Sequence, residues 1–561
     1  MPMASPGDTS ATFCATFVDE WVAQGVRHAV VAPGSRSTPL AVALARNGGL
    51  RLHVFHDERS AGFAALGIGR ATGVPAVLLC TSGTAAAHFV APVHEANLSR
   101  VPMIVCTADR PPELRDVAAP QTIDQTKLFG GAVRWFHDPG VPSTGAAASW
   151  RSLARRSLAA AVGTLPGPVH LNLPFREPLL GEVGTLPPGG GAAIVPSRLA
   201  VDAVTISRVA ALVSGRRGVI VAGRGSGPSV LALAEAAGWP VFADAVSGLR
   251  ECHPNVVVGF DPVLRAESFV GDHIPEVIVR IGDPPASKVL AQWAARAGAV
   301  IIQVNDHERP VDPDHVVALS VSGPVDKIAG MVAGSVAPAP AEWLAAWIGS
   351  ETAAQDAISR HTDAVFCEPT VARRVTDTMA PGSNLVVSSS MPVRDVEWFG
   401  TVTPGVTVHS NRGANGIDGV VSTAVGVALA TGAPTTLLIG DVAMVHDSNG
   451  LWGLARRGVD LTIVVTNNDG GSIFSFLPQA SQLDGTTFET LYGTPHGVDF
   501  AALSAAHGIA HVLVTDRASL EAALAGSGTR MIEVRLDRSG NVAAHEALNA
   551  EVVRAVESAR A

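Results

Sequence analysis

Two apolar runs in the last third of the chain each end abruptly in polar residues. Residues 437–439 (LLI) are followed within two residues by Asp441, and residues 461–465 (LTIVV) are followed within three by Asn468. The helix-length stretch between the runs predicts two buried parallel strands joined by a crossover helix. Both polar clusters would then lie beyond the carboxyl ends of neighbouring strands, which is where open α/β sheets bind ligands.

The polar groups at these two positions are hard oxygen ligands. Asp441 offers a carboxylate, Asn468 an amide oxygen, and Gly470 a backbone carbonyl with no side chain beside it. Such oxygens suit Mg²⁺ held between the protein and the phosphates of a ligand. The spacing of 27 residues from Asp441 to Asn468, in the pattern GD-x…NN, resembles the thiamine-diphosphate (ThDP) and Mg²⁺ motif of the ThDP-dependent enzymes.

Length and linker composition predict three domains. A chain of 561 residues is too long for one core. Residues 181–196 and 334–341 are rich in Gly, Pro and Ala, which is typical of linkers. We therefore expect domains over residues 1–185, 197–335 and 342–561. A hydrophobic content of 47% with abundant Gly and Ala favours a well-packed α/β fold over disorder.

Composition also argues against several classes of partner. The net charge is −10 and no basic run occurs, so we expect no nucleic acid. Residues 71–93 and 419–440 are uncharged and long enough to span a bilayer, but turn residues interrupt both, so we expect no membrane span. Five dispersed cysteines, and an N-terminus without signal-peptide features, predict a cytoplasmic protein with reduced thiols.

An internal similarity relates the first domain to the last. The segments ATGVPAVLL and ATGAPTTLL match at an offset of 359 residues, and the same offset aligns Ser82 with Asp441 and Asp109 with Asn468. Short matches of Ala, Gly and Leu arise easily by chance, but one gap-free register that links polar turns favours a shared fold. One domain would then hold phosphates through a metal, while the other holds a different part of the ligand.

The middle domain has a glycine loop that suggests dinucleotide binding. Strand-like runs occur at residues 218–222, 277–281 and 299–303, and residues 223–227 (GRGSG) follow the first of them. The third glycine comes one residue early for the dinucleotide fingerprint, although Asp244 falls near the position of a ribose-binding acid. We therefore favour a Rossmann-like domain in which this loop has a structural role.

Two segments of the first domain carry polar groups in settings typical of ligand sites. Residues 31–40 (VAPGSRSTPL) place hydroxyls, Arg36 and backbone N–H groups at a helix start, which fits either an anion site or a helix cap by Ser35 or Ser37. Glu58 lies between a strand-like run and an Ala/Gly-rich helix. Partial desolvation there would suit it to proton transfer, and a helix-start carboxylate is the structural alternative.

Seven motifs spread over the chain occur in this order: PGSRSTPL, DER, TSGTA, TADRPPEL, GPVHLNLPFREPL, SNRGANGIDG and NNDGGSIF. Together they resemble the MenD family, the ThDP-dependent 2-succinyl-5-enolpyruvyl-6-hydroxy-3-cyclohexene-1-carboxylate (SEPHCHC) synthases of menaquinone biosynthesis. The resemblance covers all three domains and is weakest in the middle one. It implies the ThDP-binding fold, an α/β architecture of three doubly wound parallel-sheet domains: a pyrimidine, a central and a diphosphate domain, in chain order.

The resemblance also implies the cofactor site. ThDP would be bound with Mg²⁺, or with Mn²⁺ in its place, and the metal ligands would be Asp441, Asn468 and Gly470. Glu58 would act in catalysis by hydrogen-bonding the aminopyrimidine ring, and it would reach the cofactor from a different chain than Asp441, in a homodimer or homotetramer. Asp469 replaces an Asn that is common in relatives, for no reason evident in the sequence. The other implied cofactor-binding residues are Ser389, Ile417, Val442 and Ala443.

The implied substrates are 2-oxoglutarate and isochorismate. The enzyme would be a transferase that decarboxylates the first and adds the succinyl carbanion to the second by 1,4-addition, giving SEPHCHC and CO₂. Carboxylate substrates require cations, preferably Arg. The implied substrate-binding residues are Ser35, Arg36, Arg110, Lys288, Ser390, Arg394, Arg412, Ile473 and Phe474, and Gln121 and Arg394 would take part in catalysis. Two alternatives remain: another ThDP-dependent 2-oxo-acid decarboxylase or acetohydroxyacid-synthase-like carboligase, and a non-catalytic sensor of a phosphorylated ligand.

Overall fold

The computed structural model describes residues 5–189, 193–195, 197–250 and 252–559. Their strands form three six-stranded parallel sheets, and most successive strands are connected through helices. The predicted α/β class with three parallel-sheet domains is therefore confirmed.

The first sheet is built from short apolar strands, and its central strands β3 and β4 are buried at every residue, as expected for a parallel sheet. Its strands are β1 (His28–Val31), β2 (Arg51–Val54), β3 (Ala76–Cys80), β4 (Met103–Asp109), β5 (Phe136–His137) and β6 (Pro168–Pro174). The helices of this part are α1 (Pro6–Ala23), α2 (Thr38–Arg46), α3 (Glu58–Thr72), α4 (Thr84–Ala87), α5 (Val90–Leu98) and α6 (Ala147–Ala161).

The middle sheet has the strand order β9-β8-β7-β10-β11-β12, which is the order typical of Rossmann domains. Its strands are β7 (Gly218–Ala222), β8 (Val241–Ala243), β9 (Val256–Val257), β10 (Val277–Ile281), β11 (Val300–Asn305) and β12 (Val317–Ser322). The helices are α7 (Ala203–Val213), α8 (Ser229–Ala237), α9 (Phe260–Val263), α10 (Glu267–Asp272), α11 (Lys288–Arg296) and α12 (Val325–Ala333). The three predicted strand-like runs are thus confirmed as β7, β10 and β11.

The third sheet contains both apolar runs from which the site was predicted. Its strands are β13 (Asn384–Val387), β14 (Thr407–His409), β15 (Thr435–Gly440), β16 (Leu461–Asn467), β17 (Ala510–Val514) and β18 (Arg530–Arg535). The longer helices are α13 (Ala341–Ala364), α14 (Glu368–Thr378), α15 (Met391–Phe399) and α16 (Val420–Thr431). The remaining helices are α17 (Asp441–His446), α18 (Gln479–Gln482), α19 (Gly485–Phe488), α20 (Phe500–Ala506), α21 (Arg517–Leu524) and α22 (Asn541–Ser558).

The first and third sheets have the same topology. Their strand orders are β2-β1-β3-β4-β6-β5 and β14-β13-β15-β16-β18-β17. In each sheet the strand order reverses at one point, which lies between β1 and β3 in the first sheet and between β13 and β15 in the third. This switch point is where open α/β sheets bind ligands. The shared fold inferred from the internal similarity is confirmed.

The described residues divide into two compact units. The first contains the residues up to Ser197 together with Asn411–Thr435 and Ala443–Leu461, and the second contains the rest. Within the first unit α16 packs against α3 so closely that side chains are excluded. A Cβ atom on Gly67 would lie 2.2 Å from the Thr423 carbonyl oxygen, so only glycine fits there.

The connection between β15 and β16 differs from the predicted single helix. α17 ends at His446, and two 3₁₀ turns follow at Ser448–Leu451 and Leu454–Arg456. Gly453 and Gly458 adopt φ angles of +70° and +64°, and a right-handed helix has no place for such residues. The prediction of a single helix was wrong, because α17 ends at His446 and these glycines do not allow one helix to span the rest of the connection, whereas the two neighbouring strands are confirmed.

The glycines of the middle-domain loop serve close backbone packing. A Cβ atom on Gly223 would lie 1.8 Å from the Asp283 carbonyl oxygen, and one on Gly282 would lie 1.9 Å from the Arg224 carbonyl oxygen. Arg224 also forms an ion pair of 2.9 Å with the Asp283 carboxylate. Asp244 uses its side chain to cap the turn after β8. These contacts agree with the structural role favoured for the loop.

The predicted linkers and the uncharged stretches take irregular or mixed structure. In residues 181–196 the described positions, 181–189 and 193–195, form neither helix nor strand, and residues 334–340 connect α12 to α13. Residues 419–440 form α16 and β15, and residues 71–93 include β3 and α4. None of the described helices is long and apolar enough to cross a membrane. All five cysteines are free thiols.

We predict that His170 makes the protein sensitive to acid. His170 lies in β6, and its Nε2 is 2.8 Å from the Thr107 hydroxyl. Burial lowers the pKa of His170 from 6.5 to about 3. Between these values the unfolded chain binds a proton that the folded chain excludes, so the stability present above pH 6.5 is lost as the pH falls towards 3.

Replacing this histidine should reduce the acid sensitivity. Thermal unfolding midpoints followed by circular dichroism between pH 7 and pH 4 should fall less for His170→Gln than for the wild type, because Gln has no proton to bind. His88→Gln, at an exposed position, is the control and should keep the wild-type pH dependence. Equal pH dependence of His170→Gln and the wild type would contradict the prediction.

Candidate functional site

Asp441 joins the ends of two neighbouring strands in the second unit. It follows β15 directly, and its Oδ2 accepts the backbone N–H groups of Asn468 and Gly470, each at 3.0 Å, from the turn after β16. Its Oδ1 accepts the N–H of Val442 at 2.7 Å, and Asp441 is only 2% exposed. The structure thus brings the three predicted metal ligands to one place at the carboxyl ends of β15 and β16.

The oxygen atoms at this place fit a hard divalent cation. In the described part of the chain, Asn468 Oδ1 is buried without a hydrogen-bond partner. The Gly470 carbonyl accepts the Ser472 N–H at 3.0 Å and keeps a second lone pair. Carboxylate, amide and carbonyl oxygens suit Mg²⁺ and Mn²⁺. Since the described residues contain no group of three or more His, Cys, Asp or Glu that could hold a metal, this mixed oxygen set is the candidate metal centre.

Asp469 organises the neighbouring loop over residues 494–498, which accounts for a residue that the sequence left unexplained. Its Oδ1 accepts the N–H groups of Gly497 and His496 at 2.8 and 3.0 Å, and these bonds lower the pKa of Asp469. The loop places His496 Nε2 3.4 Å from Asp441 Oδ2. The adjacent Asp441 carboxylate raises the pKa of His496, and partial burial opposes that effect. His496 is therefore a site residue that the motifs did not indicate.

A buried acid-histidine cluster lies against Asn468. Glu368, the first residue of α14, accepts a hydrogen bond from Asn468 Nδ2 at 2.7 Å. Burial and the nearby Asp395 raise the pKa of Glu368 to about 7, and the side-chain amides of Asn468 and Asn541 oppose the rise. Asp395 pairs with His545 Nε2 at 2.7 Å. Burial lowers the pKa of His545, but the Asp395 carboxylate outweighs it and the pKa rises.

Helix α15 presents Arg394 beyond the end of β13. The backbone carbonyl of Ser390 accepts a hydrogen bond from Arg394 at 2.6 Å. Ser390 has a φ of +75°, and Ser389 before it is buried. At the other end of α15 the fully buried Arg250 donates hydrogen bonds to three backbone carbonyls. The guanidinium of Arg250 thereby fixes the C-terminal end of α15, and its positive charge interacts favourably with the helix macrodipole.

Lys288 lies in the same unit and its segment is tied to α15. Lys288 is exposed at the start of α11. Two residues earlier, the N–H of Ala286 donates to the Glu397 carboxylate of α15 at 2.6 Å. Lys288 and Arg280 line a cavity of about 220 Å³ at the carboxyl end of the middle sheet. Lys288 and Arg394 are therefore carried by connected segments.

The two apolar residues among the predicted substrate-binding set follow the candidate metal ligands closely in the chain. Ile473 and Phe474 belong to a 3₁₀ helix that begins two residues after Gly470, and both are partly exposed. The Phe474 ring lies 5.3 Å from the Tyr492 ring, measured between centroids. A cavity of about 790 Å³ opens beside Asn468 in this region. Apolar and polar surfaces thus meet at this edge of the third sheet.

In the first unit, two predicted substrate-binding cations are neighbours. Arg36 is 6% exposed, donates to the Phe175 carbonyl at 3.0 Å and pairs with Glu177 at 3.1 Å. Burial lowers the pKa of Arg110, and the positive charge of Arg36 lowers it further. Arg110 donates to the Pro120 carbonyl at 3.0 Å.

The hydroxyl and amide groups near these cations do not cap helix α2. Ser37 stands before α2, but its hydroxyl donates to the Gly34 carbonyl at 2.9 Å, and no side chain caps the helix. The capping alternative is therefore excluded, and Ser35 is exposed. Gln121 has a φ of +57°, and its Nε2 donates to the Ser82 carbonyl at 3.1 Å.

Glu58 is held between two anchored neighbours. Asp57 caps α3 and accepts a hydrogen bond from Asn449 at 2.7 Å, and Arg59 donates to the His446 carbonyl at 2.7 Å. Glu58 itself is half-buried, and its carboxylate makes no hydrogen bond within the described residues. The backbone around Glu58 is thus fixed, and its acceptor oxygens are available to a ligand.

Arg412 and Ile417 belong to a loop that a buried carboxylate holds in place. The two oxygens of Glu95 accept the N–H groups of Gly413 and Ala414 at 2.9 and 2.7 Å. Arg412 and Ile417 are both half-buried. This loop therefore presents one cation and one apolar side chain from a fixed backbone.

The predicted site residues fall into two groups, one in each unit. The first unit carries Ser35, Arg36, Glu58, Arg110, Gln121, Arg412, Ile417 and Ala443. The second carries Lys288, Ser389, Ser390, Arg394, Asp441, Val442, Asn468, Gly470, Ile473 and Phe474.

Family models match the chain in three successive segments. Residues 12–128 match the thiamine pyrophosphate enzyme N-terminal TPP binding domain, residues 198–387 the middle domain of thiamine pyrophosphate enzymes, and residues 398–534 the C-terminal TPP binding domain. The fold is similar to that of benzoylformate decarboxylase from Polynucleobacter necessarius, with a TM-score of 0.74 over 94% of this chain and 99% of that chain, at 18% identity. Fold and site therefore define a ThDP-dependent enzyme.

Relatives that match over nearly the whole chain narrow this class. The chain is 42% identical to the SEPHCHC synthase of Chloroflexus aurantiacus, with 95% of each protein covered. It is 39% identical to that of Myxococcus xanthus, with 98% of each covered, and 41% identical to that of Saccharopolyspora erythraea, with 95% of this chain and 97% of the relative covered. The chain belongs to the SEPHCHC synthase family, which is a family of transferases.

We predict that replacing Gly470 disrupts the turn that carries the candidate metal ligands. Its φ is +145°, and a Cβ atom there would lie 2.0 Å from the Gly493 carbonyl oxygen. Gly470→Ala should therefore lower the thermal unfolding midpoint and weaken Mn²⁺ binding measured by electron paramagnetic resonance.

A second glycine of the same region provides the control. Gly497 has a φ of +60° but no atom within 4 Å of a Cβ atom, so Gly497→Ala meets only backbone strain of about 1 kcal/mol. It should lower the unfolding midpoint much less than Gly470→Ala does. Equal losses in the two variants would show that steric crowding at Gly470 is unimportant.

Proposed function

We propose that this chain catalyses the ThDP- and Mg²⁺-dependent decarboxylation of 2-oxoglutarate. The resulting four-carbon unit is added to isochorismate, and the products are SEPHCHC and CO₂ for menaquinone biosynthesis. The observation that carries the proposal is the oxygen set of Asp441, Asn468 and Gly470, with the Asn468 amide oxygen buried and unpartnered among the described residues. The synthase name borne by the full-length relatives supports the choice of reaction.

The cofactor would be held at the carboxyl ends of β15 and β16, beside the switch point of the third sheet. Asp441, Asn468 and Gly470 would bind Mg²⁺, or Mn²⁺ in its place, and through it the diphosphate. Bound ThDP supplies the electron sink that decarboxylation of a 2-oxo acid requires, and the protein supplies orientation and electrostatics. The residues that would surround the cofactor are Ser389, Ile417, Val442 and Ala443.

Glu58 would hold a proton at the carboxyl oxygen that faces the aminopyrimidine ring. Its half-buried carboxylate is free of hydrogen bonds within the described residues, and both neighbouring residues are anchored. A fixed carboxyl group with an available oxygen is suited to exchange a proton with a bound ring nitrogen.

Both substrates are dicarboxylates, so their binding requires several cations. Arg36 and Arg110 are neighbours in the first unit, and Arg394 and Lys288 lie on connected segments of the second. We place Arg394 and Gln121 next to the reacting atoms. The positive φ of Gln121 is a strained conformation of the kind found at functional sites. The remaining polar lining would come from Ser35, Ser390 and Arg412, and the apolar wall from Ile473 and Phe474.

We also propose that the active site lies between two chains of a homodimer, or of a homotetramer built from such dimers. Glu58 of one chain and Asp441 of the other would then serve one cofactor. In this proposal residues 1–185 form the pyrimidine domain, residues 197–335 the central domain and residues 342–561 the diphosphate domain.

The proposed reaction predicts a defined set of requirements. The purified protein should consume isochorismate, followed by its absorbance, only when 2-oxoglutarate, ThDP and Mg²⁺ are all present, and CO₂ should be released in equimolar amount. Pyruvate in place of 2-oxoglutarate is the control and should give no isochorismate loss. Use of pyruvate would indicate another carboligase, and cofactor binding without turnover would indicate a sensor; either result would overturn the proposal.

A site shared between chains predicts complementation between two inactive variants. Glu58→Gln and Asp441→Ala should each be inactive alone. When the two chains are co-expressed, half of the dimers are mixed, and each mixed dimer has one intact site. Roughly a quarter of wild-type turnover should therefore return. No recovery in mixed dimers verified by differential affinity tags would place Glu58 and Asp441 of one chain in the same site.

A further inference from the structure

Glu368 is a carboxylate with no role in the reaction proposed above, yet it contacts a candidate metal ligand. It is 4% exposed, and its Oε1 accepts a hydrogen bond from Asn468 Nδ2 at 2.7 Å. Asn541, the first residue of α22, donates its side-chain amide to the Ser472 hydroxyl at 2.5 Å and lies near Glu368. The position of Glu368 at the start of α14 is favoured by the helix macrodipole. The hydrogen bond from Asn468 thus links the start of α14 to the turn after β16.

The chemistry of this contact determines which way the Asn468 amide points. An amide has an oxygen that accepts and an NH₂ group that donates, whereas an ionised carboxylate only accepts. Only the NH₂ group of Asn468 therefore pairs with Glu368, and the Oδ1 atom is directed away from it. In the described part of the chain that oxygen is buried and has no partner. The backbone N–H of Asn468 is bonded to Asp441, so the whole residue is held beside the other candidate ligand.

We propose that Glu368 is a positioning residue that selects the metal-binding orientation of the Asn468 amide. It would present Oδ1 to Mg²⁺ before the cofactor arrives and would prevent the amide from turning its NH₂ group towards the cation. This inference rests on the proposed metal site. Outer groups that orient metal ligands in this way typically change metal affinity by about ten- to a hundredfold when they are replaced.

The test exchanges the donor and acceptor roles across the contact. In Glu368→Gln the introduced amide pairs equally well with either end of the Asn468 amide, so the selection is lost. In Asn468→Asp two carboxyl groups oppose each other. The double variant E368Q/N468D restores a matched pair, because the amide introduced by E368Q donates its NH₂ group to the carboxylate introduced by N468D. The other oxygen of that carboxylate is left for the metal.

Metal affinity is the direct readout. Mn²⁺ binding to the full-length protein with saturating ThDP is measured by electron paramagnetic resonance in mildly alkaline buffer, and circular dichroism checks the fold. The Kd for Mn²⁺ should rise at least about tenfold in E368Q and in N468D, and it should return to within about threefold of the wild type in E368Q/N468D. If Glu368 only stabilised the fold, the affinity for Mn²⁺ would not be expected to recover in E368Q/N468D.

A half-buried glutamate in the same unit is the control. The Glu351 carboxylate accepts the Gly259 N–H at 2.9 Å, so Glu351→Gln also removes a hydrogen-bonded carboxylate charge but does not touch Asn468. It should leave the Kd for Mn²⁺ unchanged. Comparable weakening in E351Q and E368Q would overturn the proposal, because the loss of a carboxylate charge alone would then explain both.

The remaining outcomes are also decisive. Wild-type affinity in E368Q, or a double variant no tighter than N468D, would overturn the positioning role while leaving the metal site intact. If E368Q alone fails to fold, the comparison of N468D with E368Q/N468D decides, and the double variant should bind at least about tenfold more tightly. Absence of Mn²⁺ binding by the wild type would instead refute the proposed metal site itself.

Discussion

The carboxylate of Asp441 accepts backbone N–H groups from the turn after β16, and this bond joins the ends of two parallel strands. A buried carboxylate is costly unless donors surround it. The turn that supplies the donors is therefore constrained to the shape in which Asn468 and Gly470 face Asp441. Asp469 extends the constraint to the next loop, which brings His496 beside the same carboxylate. The geometry of the loops at the carboxyl ends of β15 and β16 therefore depends on the Asp441 carboxylate.

Much of this arrangement follows from local sequence. Apolar runs that end in polar residues specify buried strands with functional ends, and β15 and β16 lie where the runs indicate. The match between ATGVPAVLL and ATGAPTTLL indicates a repeated fold, and the first and third sheets share one strand order. These features are predictable because the burial of a strand depends mainly on the consecutive apolar residues that form it.

Other features depend on contacts between distant segments and left no local signal. Glu368 lies 100 residues before Asn468, and Arg250 lies 146 residues before the first carbonyl that it caps in α15. The sequence around Glu368 or Arg250 contains no pattern that indicates a buried charge. Such a residue can be identified only once the groups that it bonds to are known. The single helix expected between β15 and β16 failed for a different reason. The helix ends at His446, and the positive φ angles of Gly453 and Gly458 exclude one helix across the rest of the connection. The prediction relied on the length of the stretch and gave these two glycines too little weight.

The two copies of the fold use the same positions for different purposes. At the end of β16 the polar positions form the candidate metal centre, whereas at the ends of β3 and β4 the equivalent groups bond to the protein itself. Ser82 donates to the Gln121 carbonyl at 2.9 Å. Asp109 accepts the backbone N–H of Arg110 at 2.7 Å and pairs with Arg115 at 3.0 Å. These bonds fix the backbone of Gln121 and Arg110, two of the residues proposed to contact the substrates. Under the proposed function, the same sheet edge would bind the phosphates in one copy and position the substrates in the other.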